Sequence, residues 1–182
     1  MSGPRPYAIV AALAGVALVL RCIGLGATNL WLDEANTWYV ATFPLERLLG
    51  DLQRIPGAAF HMPAYFVLLR GWMALAGDSE AAMRALAVLL SVALLPLTYA
   101  VGARTLSRDA ALLGTLLLAL SPAQLFFAQE VRMYAALSLL CTGCALAYLA
   151  WWDQPARSAR AAGCLAAYAA LAALALYVHV TA

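Results

Sequence analysis

Five apolar runs dominate this chain, and each approaches the ~20 residues that a helix needs to cross the hydrocarbon core of a membrane. The chain is 65% hydrophobic and 11% charged, whereas soluble domains carry about 25% charged residues. We therefore predict an all-α membrane protein, a multi-span helical bundle of about five transmembrane helices. A net charge of +2 gives no reason to expect nucleic acid as a partner. The spans are expected at about 7–25, 83–101, 110–128, 133–152 and 161–182.

The region 29–76, between the first two spans, is expected to form interfacial helices on the outer face. One apolar stripe there recurs at i, i+3, i+4 and i+7, which is typical of an amphipathic helix lying on a bilayer. A second apolar stretch, 62–76, would reach only about 22 Å as a helix, which is short of a ~30 Å core. We therefore expect it not to cross. The stripe consists of Leu45, Leu48, Leu49 and Leu52.

Loop charges predict the orientation. Arg104 and Arg108 lie in one short loop and Arg157 and Arg160 in another, and two spans separate these loops. The positive-inside rule makes that face cytoplasmic, together with Arg5. We expect a multi-pass protein of the cell inner (plasma) membrane with its site facing the periplasm or exterior. The ionisable residues gathered on that outer face are Asp33, Glu34, His61, Asp78, Glu80, Arg84, Glu130 and Arg132.

The adjacent carboxylates Asp33 and Glu34 follow directly after the first span. Acids so close to lipid are costly, which makes the pair a candidate functional site. The alternative is that both acids face water and cap a short helix. If both pack near lipid, burial and mutual repulsion should raise the pKa of one of them.

Several short motifs in order resemble one family. They are similar to the N-terminal half of the bacterial members of the dolichyl-phosphate-mannose protein mannosyltransferase superfamily, which are GT-C-type membrane glycosyltransferases related to the aminoarabinose transferase of lipid A. Met62 stands where the family usually has a proline, and Glu130 where many relatives carry an aspartate. The resemblance implies one GT-C-like transmembrane module over 1–182, truncated at its C-terminus. The motifs are Trp31-Leu32-Asp33-Glu34-Ala35, His61-Met62-Pro63-x-Tyr65, Ser79-Glu80-x-x-x-Arg84, Ser121-Pro122 and Gln129-Glu130-Val131-Arg132-Met133-Tyr134.

This resemblance implies transfer of a sugar, with inversion, from a polyprenyl-phosphate donor to an acceptor protein, lipid or glycan at the outer face. The implied catalytic residues are Asp33 as general base, Glu34 to orient it or hold the acceptor, and Glu130. Arg84 would bind the lipid phosphate through its guanidinium fork, or would instead snorkel to headgroups. The other implied substrate-binding residues are Arg132, His61, Tyr134 and Trp31.

Two further possibilities stay open. Asp33 and Glu130 could share a divalent cation, although two carboxylates are few ligands for one; no cofactor is otherwise expected. The alternative to an enzyme is a truncated, non-catalytic membrane protein that binds lipid or partner helices. The gathering of charged motifs on one membrane face favours the enzyme.

Overall fold

A computed structural model describes residues 6–55, 63–155 and 158–179. Over those ranges the regular structure is entirely helical, as predicted. Two predicted segments extend beyond the described residues. The fifth expected span does so at 180–182, and the 62–76 stretch does so at Met62. The helices are α1 (Pro6–Cys22), α2 (Leu32–Ala41), α3 (Leu45–Gly50), a 3₁₀ turn (Leu52–Arg54), α4 (Pro63–Ala76), α5 (Glu80–Thr105), α6 (Arg108–Leu120), α7 (Pro122–Ala128), α8 (Tyr134–Trp152) and α9 (Ala159–Val178).

Serine residues set the start of four of these helices. In each case the side-chain oxygen accepts a hydrogen bond from the backbone N–H three residues further on. Such caps stabilise a helix by about 1 kcal/mol each, because they satisfy a donor that has no partner within the helix. The capping residues are Ser79, Ser107, Ser121 and Ser158.

Helices α5, α8 and α9 are long and apolar enough to cross a membrane. Helices α6 and α7 together make a fourth candidate, but they meet at an angle of 55°. The expected span over 110–128 is therefore bent, because Pro122 has no N–H to continue the helix. The apolar helices α1 and α4 have 17 and 14 residues, so the count of five spans remains a prediction.

Arg21 of α1 connects the bent α6–α7 segment to neighbouring helices. Its guanidinium is fully buried instead of reaching to the membrane surface. Nη1 donates to the carbonyl of Ala119 at 3.0 Å, and Nε donates to Oγ of Ser91 at 2.9 Å. Arg21 therefore links α1 to α5 and supplies a donor to a carbonyl that the helix break leaves without its usual partner.

The outer segment folds back on the bundle. Helix α4 packs against α2 and α5, and α3 packs on α4 through a small apolar cluster. Within the predicted amphipathic stripe, Leu48 and Leu52 are buried in that cluster, while Leu45 and Leu49 are exposed. Half of the stripe thus holds α3 to the protein, and the other half is available to the bilayer surface.

Candidate active site

Glu34 is held in place by four hydrogen bonds from described residues. It lies in the first turn of α2 with 1% of its surface exposed. Arg84 of α5 donates to both of its carboxylate oxygens, from Nε at 3.0 Å and from Nη2 at 2.7 Å. The backbone N–H groups of Val131 and Trp31 donate as well, at 2.8 and 3.3 Å. One carboxylate therefore ties together α2, α5 and the loop before α8.

Arg84 uses its remaining donors on the loop that precedes α2. Nη1 donates to the carbonyls of Leu25 and Thr28, at 3.1 and 2.8 Å, and Nη2 donates to that of Asn29 at 3.3 Å. These contacts engage all five N–H groups of the guanidinium. The snorkelling alternative is wrong, because the side chain is buried inside the protein. A contact with a lipid phosphate stays a prediction, and it would require Arg84 to release one of these bonds.

The surroundings of Glu34 keep it charged. Burial alone would raise its pKa, but the hydrogen bonds from Arg84 and Val131, the charge of Arg84 and the Trp31 N–H together hold that pKa below its usual value. A carboxylate with such partners is a poor proton acceptor near neutral pH. The pKa increase expected for one member of the acidic pair therefore does not fall on Glu34.

Asp33 occupies a different environment from its neighbour. Consecutive helical residues point about 100° apart, and the Asp33 side chain is 46% exposed while that of Glu34 is buried. Its Oδ2 lies 3.6 Å from Nη2 of Arg132. The same arginine donates from Nη1 to the backbone carbonyl of Asp33 and to Oγ1 of Thr37, both at 3.4 Å. Asp33 thus combines access from outside with a nearby positive charge.

Glu130 differs from both Glu34 and Asp33, because it is buried but not held by an arginine. It follows α7 with 6% of its surface exposed, and none of the described residues donates a hydrogen bond to its side chain. Burial raises its pKa, and the negative charges of Glu34 and Asp33 add to that effect, against the opposing charges of Arg132 and Arg84. Its hydrogen-bonding capacity is therefore unused by the described protein.

A cleft of about 290 Å³ brings four of the eight predicted site residues together. Glu34, Arg84 and Glu130 line it, and so does Trp31, whose ring is half exposed. Its other walls include Leu25, Thr28 and Asn29, the loop residues whose carbonyls accept hydrogen bonds from Arg84, together with Phe126 and Gln129.

The remaining predicted residues lie outside that lining. Asp33 and Arg132 form the ion pair described above, and Arg132 in turn lies over the ring of Tyr134, with 5.7 Å from its guanidinium carbon to the ring centre. His61 lies outside the described residues. The sequence-predicted site is thus a cleft with an adjoining charged pair, and its described members come from α2, α5 and the segment that begins α8.

Two residues near the site were not assigned a role from the sequence. Tyr65 of α4 is buried, and its hydroxyl has no partner in the described part of the chain. Gln129 donates from Nε2 to the carbonyls of Arg21 and Ile23, which fixes the end of α1 beside the cleft. Both residues belong to motifs on which the family resemblance rests. Membership of these motifs is the sequence feature that could have identified them as site residues.

The described residues offer few ligands for a cation. They contain no group of three His, Cys, Asp or Glu side chains that could hold one. Glu34 is occupied by Arg84, and Asp33 faces Arg132. Glu130 is the carboxylate that remains. This donor set does not fit a divalent cation, which takes several oxygen ligands.

No protein-family model matches the chain, and no curated protein matches it in sequence. The fold is similar to that of a solved structure, the S. cerevisiae protein O-mannosyltransferase Pmt1-Pmt2 complex bound to the sugar donor. The two share 16% identity at a TM-score of 0.71, over 98% of this chain and 26% of that one. The chain thus spans about a quarter of that protein's length. The likeness confirms the predicted all-helical, GT-C-like membrane fold.

Proposed function

We propose that this chain belongs to an integral membrane glycosyltransferase that moves a sugar from a polyprenyl-phosphate donor to an acceptor at the outer membrane face. One observation carries the proposal: of two adjacent carboxylates, Glu34 is locked by Arg84 while Asp33 stays half exposed beside a cleft. The fold, which is like that of an O-mannosyltransferase, supports the reaction class.

Asp33 is the proposed general base. The acceptor hydroxyl gives its proton to the Asp33 carboxylate as its oxygen attacks the anomeric carbon of the donor sugar. The bond from that carbon to the phosphate oxygen breaks, and the polyprenyl phosphate leaves with the bonding electrons, so the anomeric configuration inverts. A phosphate needs no strong acid to leave, so one base is sufficient.

Arg132 and Arg84 receive different roles in this proposal. Arg132 lies 3.6 Å from Asp33, and its Nε has no partner in the described part of the chain. It would place positive charge beside Asp33 and beside the leaving phosphate. Arg84 is a positioning residue, because its donors already hold Glu34 and the loop before α2.

Glu130 is proposed to bind the donor sugar. It faces the cleft with a carboxylate that accepts no hydrogen bond from the described residues. Sugar hydroxyls are donors of the kind that such a carboxylate needs. Trp31, at the rim of the same cleft, offers an aromatic face on which a sugar ring can pack.

The proposal is tested in proteoliposomes with radiolabelled polyprenyl-phosphate mannose as the donor and a peptide rich in serine and threonine as the acceptor, both chosen because the structural neighbour is a protein O-mannosyltransferase. Binding of the donor and release of polyprenyl phosphate are measured in parallel, with unglycosylated polyprenyl phosphate as the competitor. We expect the sugar-bearing lipid to bind more tightly and to be consumed. Equal binding of both lipids without consumption would instead support the non-catalytic lipid-binding alternative.

A further inference from the structure

Two arginines lie at the end of α5 that is farthest from the candidate active site. Arg104 is in the last turn of α5, twenty residues after Arg84. At 1.5 Å per residue, that places it about 30 Å further along the helix. Arg108 is the first residue of α6, directly across the connecting turn. Both arginines therefore belong to the opposite end of the bundle from the cleft, about one membrane thickness away.

A close helix crossing brings these arginines together. A Cβ added at Gly102 would lie 3.0 Å from the Cβ of Ala111 and 3.1 Å from its Cα, which is tighter than nearly all Cβ contacts in proteins, so α5 and α6 approach closely here. Beside this crossing is a cavity of about 510 Å³, lined by Arg104, Arg108, Tyr7 and other residues of α1, α5, α6 and α8. The geometry directs two guanidinium groups to one cavity.

The two arginines of this cavity have no partners in the described part of the chain. Neither arginine makes a hydrogen bond or ion pair there, although Asp109 follows Arg108 directly. Tyr99, which also lines the cavity, is 3% exposed. Tyr7 packs edge-on against that ring at 5.6 Å. Two exposed arginines at the mouth of one cavity, without an acidic partner among the described residues, point to an anionic ligand.

The cavity continues into an apolar groove. Arg104 and Leu146 line both the cavity and a groove of about 700 Å³ between α5, α8 and α9. Apart from Arg104, the groove is lined mainly by leucine and alanine, with Gly143 at its wall. These three helices are the ones long and apolar enough to span a membrane. The groove therefore runs along the hydrocarbon region from a positively charged end.

We propose that the cavity and the groove together bind one anionic phospholipid. Its phosphate contacts Arg104, Arg108 and the hydroxyl of Tyr99, and one acyl chain lies along the groove. The charge of the cavity selects the headgroup, because a zwitterionic lipid would bring its ammonium group towards two arginines. This site is separate from the proposed sugar-transfer chemistry and does not depend on it.

The test is native mass spectrometry of the full chain in a non-ionic detergent, titrated with dioleoyl phosphatidylglycerol or dioleoyl phosphatidylcholine. We expect the anionic lipid to bind at least about tenfold more tightly, because both lipids carry the phosphate but only phosphatidylcholine brings an ammonium group that the two arginines repel. The double substitution Arg104→Gln, Arg108→Gln should remove that preference. Arg160→Gln, at an exposed arginine of α9 that lines neither the cavity nor the groove, is the matched control and should leave it unchanged.

Two further arms test the acyl-chain part of the proposal. Ala147→Phe fills the groove and should weaken binding of phosphatidylglycerol, whereas Ala169→Phe, on an exposed position of α9 outside the groove, should not. Excess glycerol phosphate should fail to displace the lipid. Equal binding of the two lipids, an equal loss with Arg160→Gln, no effect of Ala147→Phe, or displacement by glycerol phosphate would each overturn the proposal. Circular dichroism of every variant ensures that only folded protein is compared.

Discussion

Glu34 and Arg84, fifty residues apart in the sequence, form a buried ion pair with two contacts of 2.7 and 3.0 Å. The pair gives the two adjacent acids different tasks. Glu34 holds the outer loop, α2 and α5 in place, whereas Asp33 keeps its carboxylate accessible. The proposed base, Asp33, therefore lies on a helix whose orientation is set by the neighbouring Glu34.

Removing one partner of this pair should destabilise the protein strongly. We expect Arg84→Met and Glu34→Gln each to lower the free energy of unfolding by about 3–5 kcal/mol, because the remaining group is left buried without its partner. The double variant should lose less than the sum of the two. Denaturant titration in detergent micelles measures all three.

The control is the exposed pair of Arg54 and Asp51, whose atoms lie 3.5 Å apart with side chains 83% and 56% exposed. Arg54→Met should change stability by no more than about 1 kcal/mol. Equal effects of Arg54→Met and Arg84→Met would contradict the anchoring role of Arg84.

Glu130 should make stability depend on pH in an identifiable direction. Because its folded-state pKa is raised, the folded protein binds the proton more tightly than the unfolded chain does. Charging Glu130 therefore costs stability above the raised pKa, and that cost disappears as the pH falls towards the ordinary glutamate pKa of about 4.3. We expect Glu130→Gln to be more stable than the parent at pH 7 and equally stable near pH 4.

Thermal unfolding of both proteins across that pH range is the measurement. Glu46→Gln, which removes the same charge from an exposed position of α3, is the control and should give no such difference. If the stability gain of Glu130→Gln grew as the pH fell, the result would contradict a raised pKa of Glu130 in the folded protein.

The close crossing of α5 and α6 should make Gly102 sensitive to a single methyl group. Gly102→Ala places a Cβ 3.0 Å from that of Ala111, so the two helices must separate, at about 1–3 kcal/mol. Gly114→Ala on α6 is the matched control, because no atom lies within 4 Å of its added Cβ. Melting temperatures in detergent should fall for the first variant only; a similar change in both would indicate a helix-propensity effect.

The predicted orientation can be tested at the two ends of α5. Asp78 and Leu106 are both exposed and lie just beyond those ends. In a background without the natural cysteines, a membrane-impermeant maleimide added to intact cells should label Asp78→Cys and not Leu106→Cys. Labelling with the reverse pattern would place the cleft on the cytoplasmic side.

The sequence was sufficient to predict the helical membrane fold and the gathering of charged motifs, because hydrophobic runs and their polar interruptions are local signals. It was not sufficient to predict what each charged side chain contacts. Arg84 was expected either to bind a lipid phosphate or to snorkel to headgroups, yet it is buried by helices distant in sequence, as is Arg21. The different surroundings of Asp33 and Glu34 depend on Arg84 and Val131, which no local pattern identifies.

Helix ends were also only partly predictable. Ser121-Pro122 is one of the motifs of the family resemblance, but the apolar run 110–128 around it predicted a single straight span. The bend there follows from the missing N–H of proline and is accommodated by Arg21, which donates to Ala119. That accommodation requires a residue almost a hundred positions away, so it could not be inferred from the run itself.

The most direct test of the account is sugar transfer by Asp33→Asn, measured with donor binding in the full-length protein. Asparagine is nearly isosteric but accepts no proton at neutral pH, and general-base contributions are about 10²–10⁴-fold. We predict a fall in transfer of that size with donor affinity largely kept. A near-normal rate in Asp33→Asn, together with an inactive Glu130→Gln, would place the base at Glu130 and contradict the account.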